Sequence, residues 1–350
     1  MFTVPCIERN TMTDRRHTLD DLASSLGLSA NTVSRALRGK DGVGEATRQR
    51  VLDEAERVGY TTPRAGSTAP HLDAVALCIP SLTHPFASEV AAAIETGVRA
   101  AGCALEVFAT NEDPQQEERI AQQLLDSRPG GVITIPVHAQ SSCWQRVGET
   151  GTPVVTVSRE LDGVECDFIG VDSEHGAYVA TRHLLGDGAS SILYLDEELA
   201  IGTIAARRRG FERAMDPAES RAQVRMIPTR RYENAGSQWR AQEGYRACLD
   251  ALRGGDEFDA VLCGDDFFAL GAMRALAENG RRVPEDVRVV GYGDLPFAEW
   301  LTPSLSSVAL PVRLIGELAV ANVLQRIGGS ISAPSRRLIR AELVVRSSSG

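Results

Sequence analysis

From Thr18 onward the apolar positions fall into a helical period. Leu19, Leu22, Ala23 and Leu26 recur at i, i+3, i+4 and i+7, which places them on one face. Thr18 and Asp21 supply a T-x-x-D start signal, and Gly27 ends the segment. Ser29 can cap a second segment in which Val33, Ala36 and Leu37 form the inner stripe, leaving Asn31, Thr32, Ser34, Arg35 and Arg38 to face elsewhere. A third segment follows Gly39 and Gly42, with Val51, Leu52, Ala55 and Val58 inward, and ends at Gly59. Three short helices with a glycine turn between the first two describe a helix-turn-helix. Periodicity alone fits a generic three-helix bundle equally well.

The pattern then changes. Residues 61–71, TTPRAGSTAPH, have linker composition. Beyond them, short β-branched runs alternate with helical stretches. The runs at Ala74–Ile79, Ala104–Phe108, Val132–Ile135, Val154–Val157, Ser191–Leu195, Val224–Ile227, Ala260–Cys263 and Val287–Gly291 predict strands. Helical patterns lie at 87–101, 114–126, 176–185, 205–214, 240–253 and 267–279. This alternation predicts parallel sheets with helices on both faces. Some 270 residues exceed one ordinary doubly wound sheet, so two α/β lobes with a cleft between them are expected. In such folds ligands sit beyond the carboxyl ends of the strands.

Charge changes the picture only when read by segment. The chain has 350 residues and a formal net charge of -10. Residues 1–64 are nearly balanced, and the acid excess lies wholly outside them. The seven cysteines show no metal-ligand spacing and read as reduced thiols. The six histidines form no HxxxH or HExxH pair, so neither a metal nor a cofactor is expected. No Walker, GxGxxG or GxSxG motif is present, which argues against an enzyme. The first residues lack a secretory h-region, and no apolar run is long enough to span a membrane. A cytoplasmic location is therefore expected, with residues 1–17 as a disordered arm and Met12 as an alternative start.

At this point the chain resembles the LacI/GalR family of ligand-controlled transcription repressors. LDDLASSLGLSANTVSRALRGK (19–40) is similar to that family's helix-turn-helix. IPSLTHPF (79–86), GVITIP (131–136), PVVTVSRE (153–160), VDSEHGAYVATRHLL (171–185), RRRGF (207–211), CGDDFFALGAMRAL (263–276), VPEDVRVVGYGD (283–294), TPSLSSV (302–308) and ELVVR (342–346) follow in the family's order. The resemblance implies an all-α DNA-binding domain at 18–60, a hinge at 61–71, and a two-lobed, periplasmic-binding-protein-like α/β domain at 72–346. It implies a homodimer on an approximately palindromic DNA operator, with a small-molecule effector, a sugar or sugar derivative, in the cleft. Ile94 and Val98 would lie at the dimer surface. A solute-binding protein of an uptake system is the alternative, opposed by the helix-turn-helix and the missing signal sequence.

The resemblance assigns Ala30, Asn31 and Arg35 to base edges. Asn can pair with adenine and Arg with guanine, whereas Ala30 can only touch a thymine methyl. Thr18, Ser29, Thr32 and Ser34 become phosphate contacts, which position without specifying. In the cleft it points to Phe86, Arg159, Asp172, Arg207, Trp239 and Asp265, with Phe86 and Trp239 sandwiching a ring. Gly293, Leu310 and Ser158 depart from the family's usual Asp, Gln and Asp. Those departures imply a ligand less hydroxyl-rich than a plain hexose, or one in another pose. The hinge departs too: Tyr60-Thr61-Thr62-Pro63-Arg64 has no leucine before Leu72, and Gly66 and Pro70 disfavour a helix. No leucine wedge is expected, which leaves Arg64 as the candidate for a narrow minor groove. A circular-permutation assay should therefore show little operator bending, and a large bend would refute the reading.

Overall fold

The computed structural model describes residues 19–37, 43–58, 71–215, 220–228, 238–329 and 332–350. They belong to two compact units, considered separately below. The expected arm, Thr18 and the hinge with Arg64, apart from His71 at the start of the first strand, lie outside the described residues.

The first unit holds α1 (Leu19–Leu26), α2 (Ala30–Leu37) and α3 (Glu45–Arg57). Gly27 takes φ +65°, a conformation that costs glycine little, and lets Leu28 N–H donate to Ala23 O at 3.0 Å. That closes α1 and turns the chain into α2. Leu22, Ala23, Val33, Ala36, Val51 and Ala55 are buried together. Leu52, expected inward, is 42% exposed. One residue along a helix is a turn of about 100°, so Val51 at the centre of the apolar stripe carries Leu52 off it.

The second unit contains two six-stranded sheets. The first sheet holds β1 (His71–Ile79), β2 (Ala104–Ala109), β3 (Pro129–Thr134), β4 (Val154–Val157), β5 (Asp167–Asp172) and β11 (Arg336–Arg340), in the order 11-5-4-3-1-2. The second holds β6 (Ser191–Glu198), β7 (Arg221–Pro228), β8 (Ala260–Cys263), β9 (Arg288–Gly293), β10 (Ser306–Ala309) and β12 (Glu342–Val344), in the order 12-10-9-8-6-7. All pairings are parallel except β10 with β12. The chain passes between the lobes at Asp172–Ser173, Ala309–Val312 and Arg340–Glu342. The helices are α4 (Pro85–Ala100), α5 (Pro114–Ser127), α6 (Cys143–Glu149), α7 (Ser173–Gly186), α8 (Gly202–Ala214), α9 (Trp239–Arg253), α10 (Asp266–Glu278) and α11 (Val312–Ile327). No described helix is long and apolar enough to cross a membrane.

Several elements escaped the sequence pattern for physical reasons. β10 reads SSVA, yet Ser306 and Ser307 are fully buried because each hydroxyl finds a partner inside. β11 reads RRLIR and is mostly exposed, so it shows no apolar alternation. The serine-rich end, which lies beyond the 72–346 bounds that the resemblance implied, packs onto the lobe. Ser348 Oγ donates to Val289 O at 2.6 Å and accepts from Ser306 N–H at 2.8 Å. Ile94 and Val98, assigned by resemblance to a dimer surface, are instead 0% exposed within the single chain. They point inward because Gly316 lets α11 pack directly onto α4.

Close helix packing also fixes α9 against α10. A Cβ on Gly244 would stand 2.4 Å from Phe268 O, and one on Gly271 would stand 2.0 Å from Ala241 O. Backbone cannot yield as a flexible side chain can, so Gly271→Ala should destabilise the α/β unit by about 1–3 kcal/mol. Gly148→Ala, with nothing within 4 Å of the added methyl, should be neutral or stabilising. Tryptophan-monitored urea unfolding reads both, since Trp144, Trp239 and Trp300 all lie in this unit.

Candidate functional site

The strand ends of both sheets converge. Pro80 after β1, Ile135 after β3, Ser158 and Arg159 after β4, and Val171 at the end of β5 meet Glu197, Gly264, Asp265, Tyr292, Gly293 and Leu310 from the second sheet. Together they line one cavity that opens to solvent. This is where ligands bind in doubly wound folds, because the carboxyl strand ends and helix amino ends open there.

Three arginines enter the cavity, each with its own carboxylate. Arg159 donates to Glu112 Oε1 at 2.7 Å and Oε2 at 2.9 Å, and also to the carbonyls of Pro136 and Val137. Arg207 holds Asp196 through Nε at 3.0 Å and Nη2 at 2.7 Å, and its guanidinium lies 5.0 Å from the Tyr292 ring centre. Arg240 donates to Glu197 Oε2 at 2.6 Å and stacks 4.7 Å from the Trp239 ring centre. Burial works against the Arg207 charge, but Asp196 more than offsets it and holds the proton above the ordinary arginine range. His84 caps α4, its Nδ1 accepting from Ala87 N–H at 3.4 Å. Burial, with Arg240 and Arg159 nearby, pushes its imidazole well below the usual value, so the ring is neutral.

Strain gathers at the same place. Ser158 and Glu112 line the cavity with φ of 64° and 56°, and Asp294 at its edge has 52°. Non-glycine residues hold such angles only where their surroundings impose them.

Of the residues expected in the cleft, Phe86, Arg159, Arg207 and Asp265 line one cavity. Asp172 does not line it. Its Oδ1 caps α7 by accepting from His175 N–H at 2.9 Å, and it borders an adjoining hollow. Trp239 does not line the cavity either. It is 2% exposed and packs edge-on against Phe268 at 6.1 Å, so the expected ring sandwich with Phe86 does not form. Its neighbour Arg240 reaches the cavity instead. Sequence reasoning missed Arg240, Glu197, Glu112, Tyr292 and His84. Glu197 and Tyr292 had one legible signal, their place at the carboxyl ends of strands. The departures Ser158, Gly293 and Leu310 all line the cavity, whereas Asp294 turns away to Arg346 at 2.6 Å.

In the first unit, Ser29 caps α2, its Oγ accepting from Thr32 N–H at 3.1 Å. Asn31 and Arg35 are exposed, and Thr32 and Ser34 are half-buried. Ala30 is half-buried against the small core.

Two family profiles match. Residues 18–63 fit "Bacterial regulatory proteins, lacI family", and residues 181–349 fit a periplasmic binding protein-like domain. The regulator reg1 of Streptomyces lividans is 32% identical over 94% of this chain and 96% of its own length. The chain belongs to the lacI family of bacterial regulatory proteins. The regulator CelR of Thermobifida fusca is similarly related, at 30% identity over 95% of this chain and 98% of its own. Among solved structures, a CelR–cellobiose complex superposes with a TM-score of 0.67 at 27% identity, covering 95% of this chain and all of that one. A lac repressor dimer bound to operator superposes with a TM-score of 0.72 at 24% identity, covering 96% of this chain and 99% of that one. This lacI-family protein is a DNA-binding transcriptional regulator, and the relatives named here are regulators rather than enzymes or uptake proteins.

Behind the cavity, Asp266 is fully buried. Its carboxyl is pushed up to about 7 by burial and by the charges of Asp265 and Asp294, against the pull of Ser307 Oγ and Leu295 N–H. A raised carboxyl favours the protonated folded state, so its contribution is full at low pH and is lost as pH rises from about 4 through 7. Asp266→Asn should flatten that decline, with a difference on the order of a few kcal/mol between pH 5 and pH 8 in urea unfolding. An unchanged slope would refute it.

Proposed function

We propose that the cavity holds the effector of this regulator, a small sugar or sugar derivative, and that the protein works as a homodimer on an approximately palindromic operator. The observation that carries the reading is the convergence of strand ends from both sheets on one cavity. A ligand touching both lobes favours one lobe arrangement and shifts its population. Operator affinity then changes by linkage. The apolar share of the lining, including Ile135, Val171, Leu199, Ile201, Leu295 and Leu310, supports a ligand less hydroxyl-rich than a simple hexose.

On the DNA side, Asn31 and Arg35 are the proposed base readers. Ser29, Thr32 and Ser34 position the unit on phosphates, and the exposed hydroxyl of Ser29 caps the recognition helix as well. One such unit makes few contacts, so two related by a dyad are needed for specific binding.

Gel shift with footprinting on DNA upstream of the protein's own gene tests this, run at two salt concentrations because phosphate contacts are salt-dependent. A protected inverted repeat is expected. Arg35→Ala should weaken binding about tenfold or more, mainly by losing discrimination at one base of each half-site. Half an operator binding as tightly as the whole would overturn the dimer, as would a stable tetramer in light scattering.

A further inference from the structure

The cleft is not electrically neutral. Arg159, Arg207 and Arg240 are the guanidiniums lining it, and they are matched by Glu112, Asp196 and Glu197. Asp265 and Glu89 remain in excess. Asp265 Oδ1 accepts from Phe267 N–H at 2.8 Å, while its Oδ2 stands 3.7 Å from Arg240 Nη1, beyond hydrogen-bond range. Glu197 is 5% exposed, and its Oε1 meets no donor among the described residues. A buried acceptor without a donor is costly, and the one guanidinium of Arg240, shared between Glu197 and Asp265, balances only one of their two charges.

We infer that the ligand carries a protonated amine, seated against Glu197 Oε1 in the second lobe and within the field of Asp265. This rests on the reading that the cavity is the effector site. A neutral polyol would give these carboxylates hydrogen-bond donors but leave their charge to be desolvated as water leaves the cleft. An ammonium supplies both donors and charge. A phosphorylated or carboxylate ligand is disfavoured by the same inventory, because every lining guanidinium already holds a carboxylate. Burial raises the carboxyls of Asp265 and Glu89, and at Asp265 the charge of Arg240 offsets only part of that rise.

Matched pairs test the inference: glucose with glucosamine, galactose with galactosamine, and cellobiose with its diamino counterpart, the β-1,4-linked glucosamine dimer. Each is titrated calorimetrically into the full-length protein and scored in parallel for operator release by gel shift. In at least one pair the amine should bind about tenfold tighter than its neutral partner. That preference should collapse in Glu197→Gln. Asp265→Asn, which keeps the cap on α10, should also reduce it and serves if Glu197→Gln does not fold. No pair showing an amine preference overturns the inference, as does a preference that survives both substitutions. The effector reading fails separately: an amine that binds with the expected preference but leaves operator affinity unchanged removes that reading and keeps the charge inference. Neutral sugars that bind and release the operator do the reverse.

Discussion

A guanidinium can be taken out of water only if something negative goes with it, and the cleft of this regulator is organised by that constraint. Arg159 draws in Glu112 from the loop after β2, Arg207 on α8 meets Asp196 at the end of β6, and Arg240 on α9 meets Glu197 one residue further on. Each pair links separate elements. Removing one partner of a buried pair typically costs about 3–5 kcal/mol, because the survivor is left charged in a poor solvent. The pairs are therefore fixed points of the cavity wall, and they hold the loops around them in place. The positive φ of Glu112 fits that role, since its bond to Arg159 helps impose the angle.

The rest of the second unit serves to bring these points together. Two doubly wound sheets open their carboxyl strand ends toward each other, and the chain crosses between them at Asp172–Ser173, Ala309–Val312 and Arg340–Glu342. Short crossings leave each lobe rigid and allow motion at their junction, which suits a protein whose ligand acts by favouring one arrangement. Buried serines reinforce the second lobe where apolar residues are lacking. Ser306, Ser307, Ser348 and Ser349 link β9, β10 and the end of the chain through hydroxyls. The small first unit follows simpler rules, with an apolar stripe on each helix and Gly27 at the turn.

Much of this was legible beforehand. Periodicity located the three DNA-binding helices and the alternation of strands and helices, because both depend on which residues leave water, and that is written along the chain. The ordered motifs carried the family, and Phe86, Arg159, Arg207 and Asp265 came together as expected. Among the elements that escaped, the serine strand β10, the exposed arginine strand β11 and the closing serines do not owe their stability to apolar burial, whereas β5 is a short buried run, DFIGVD, whose flanking aspartates masked it.

Side-chain direction was decided by the tertiary structure alone. Trp239 and Arg240 are neighbours in sequence, and the family resemblance put the aromatic ring in the cleft. Packing reversed the choice. The ring fills the space beside Phe268 under α10, and the arginine, a step of about 100° around the helix, reaches the cavity and its carboxylate. Asp172 was turned in the same way by the free amides at the start of α7. Sequence by itself determined the elements, their order and the family. Which atoms face the cavity was settled only by packing around the buried charges, because that outcome depends on partners far apart in the chain.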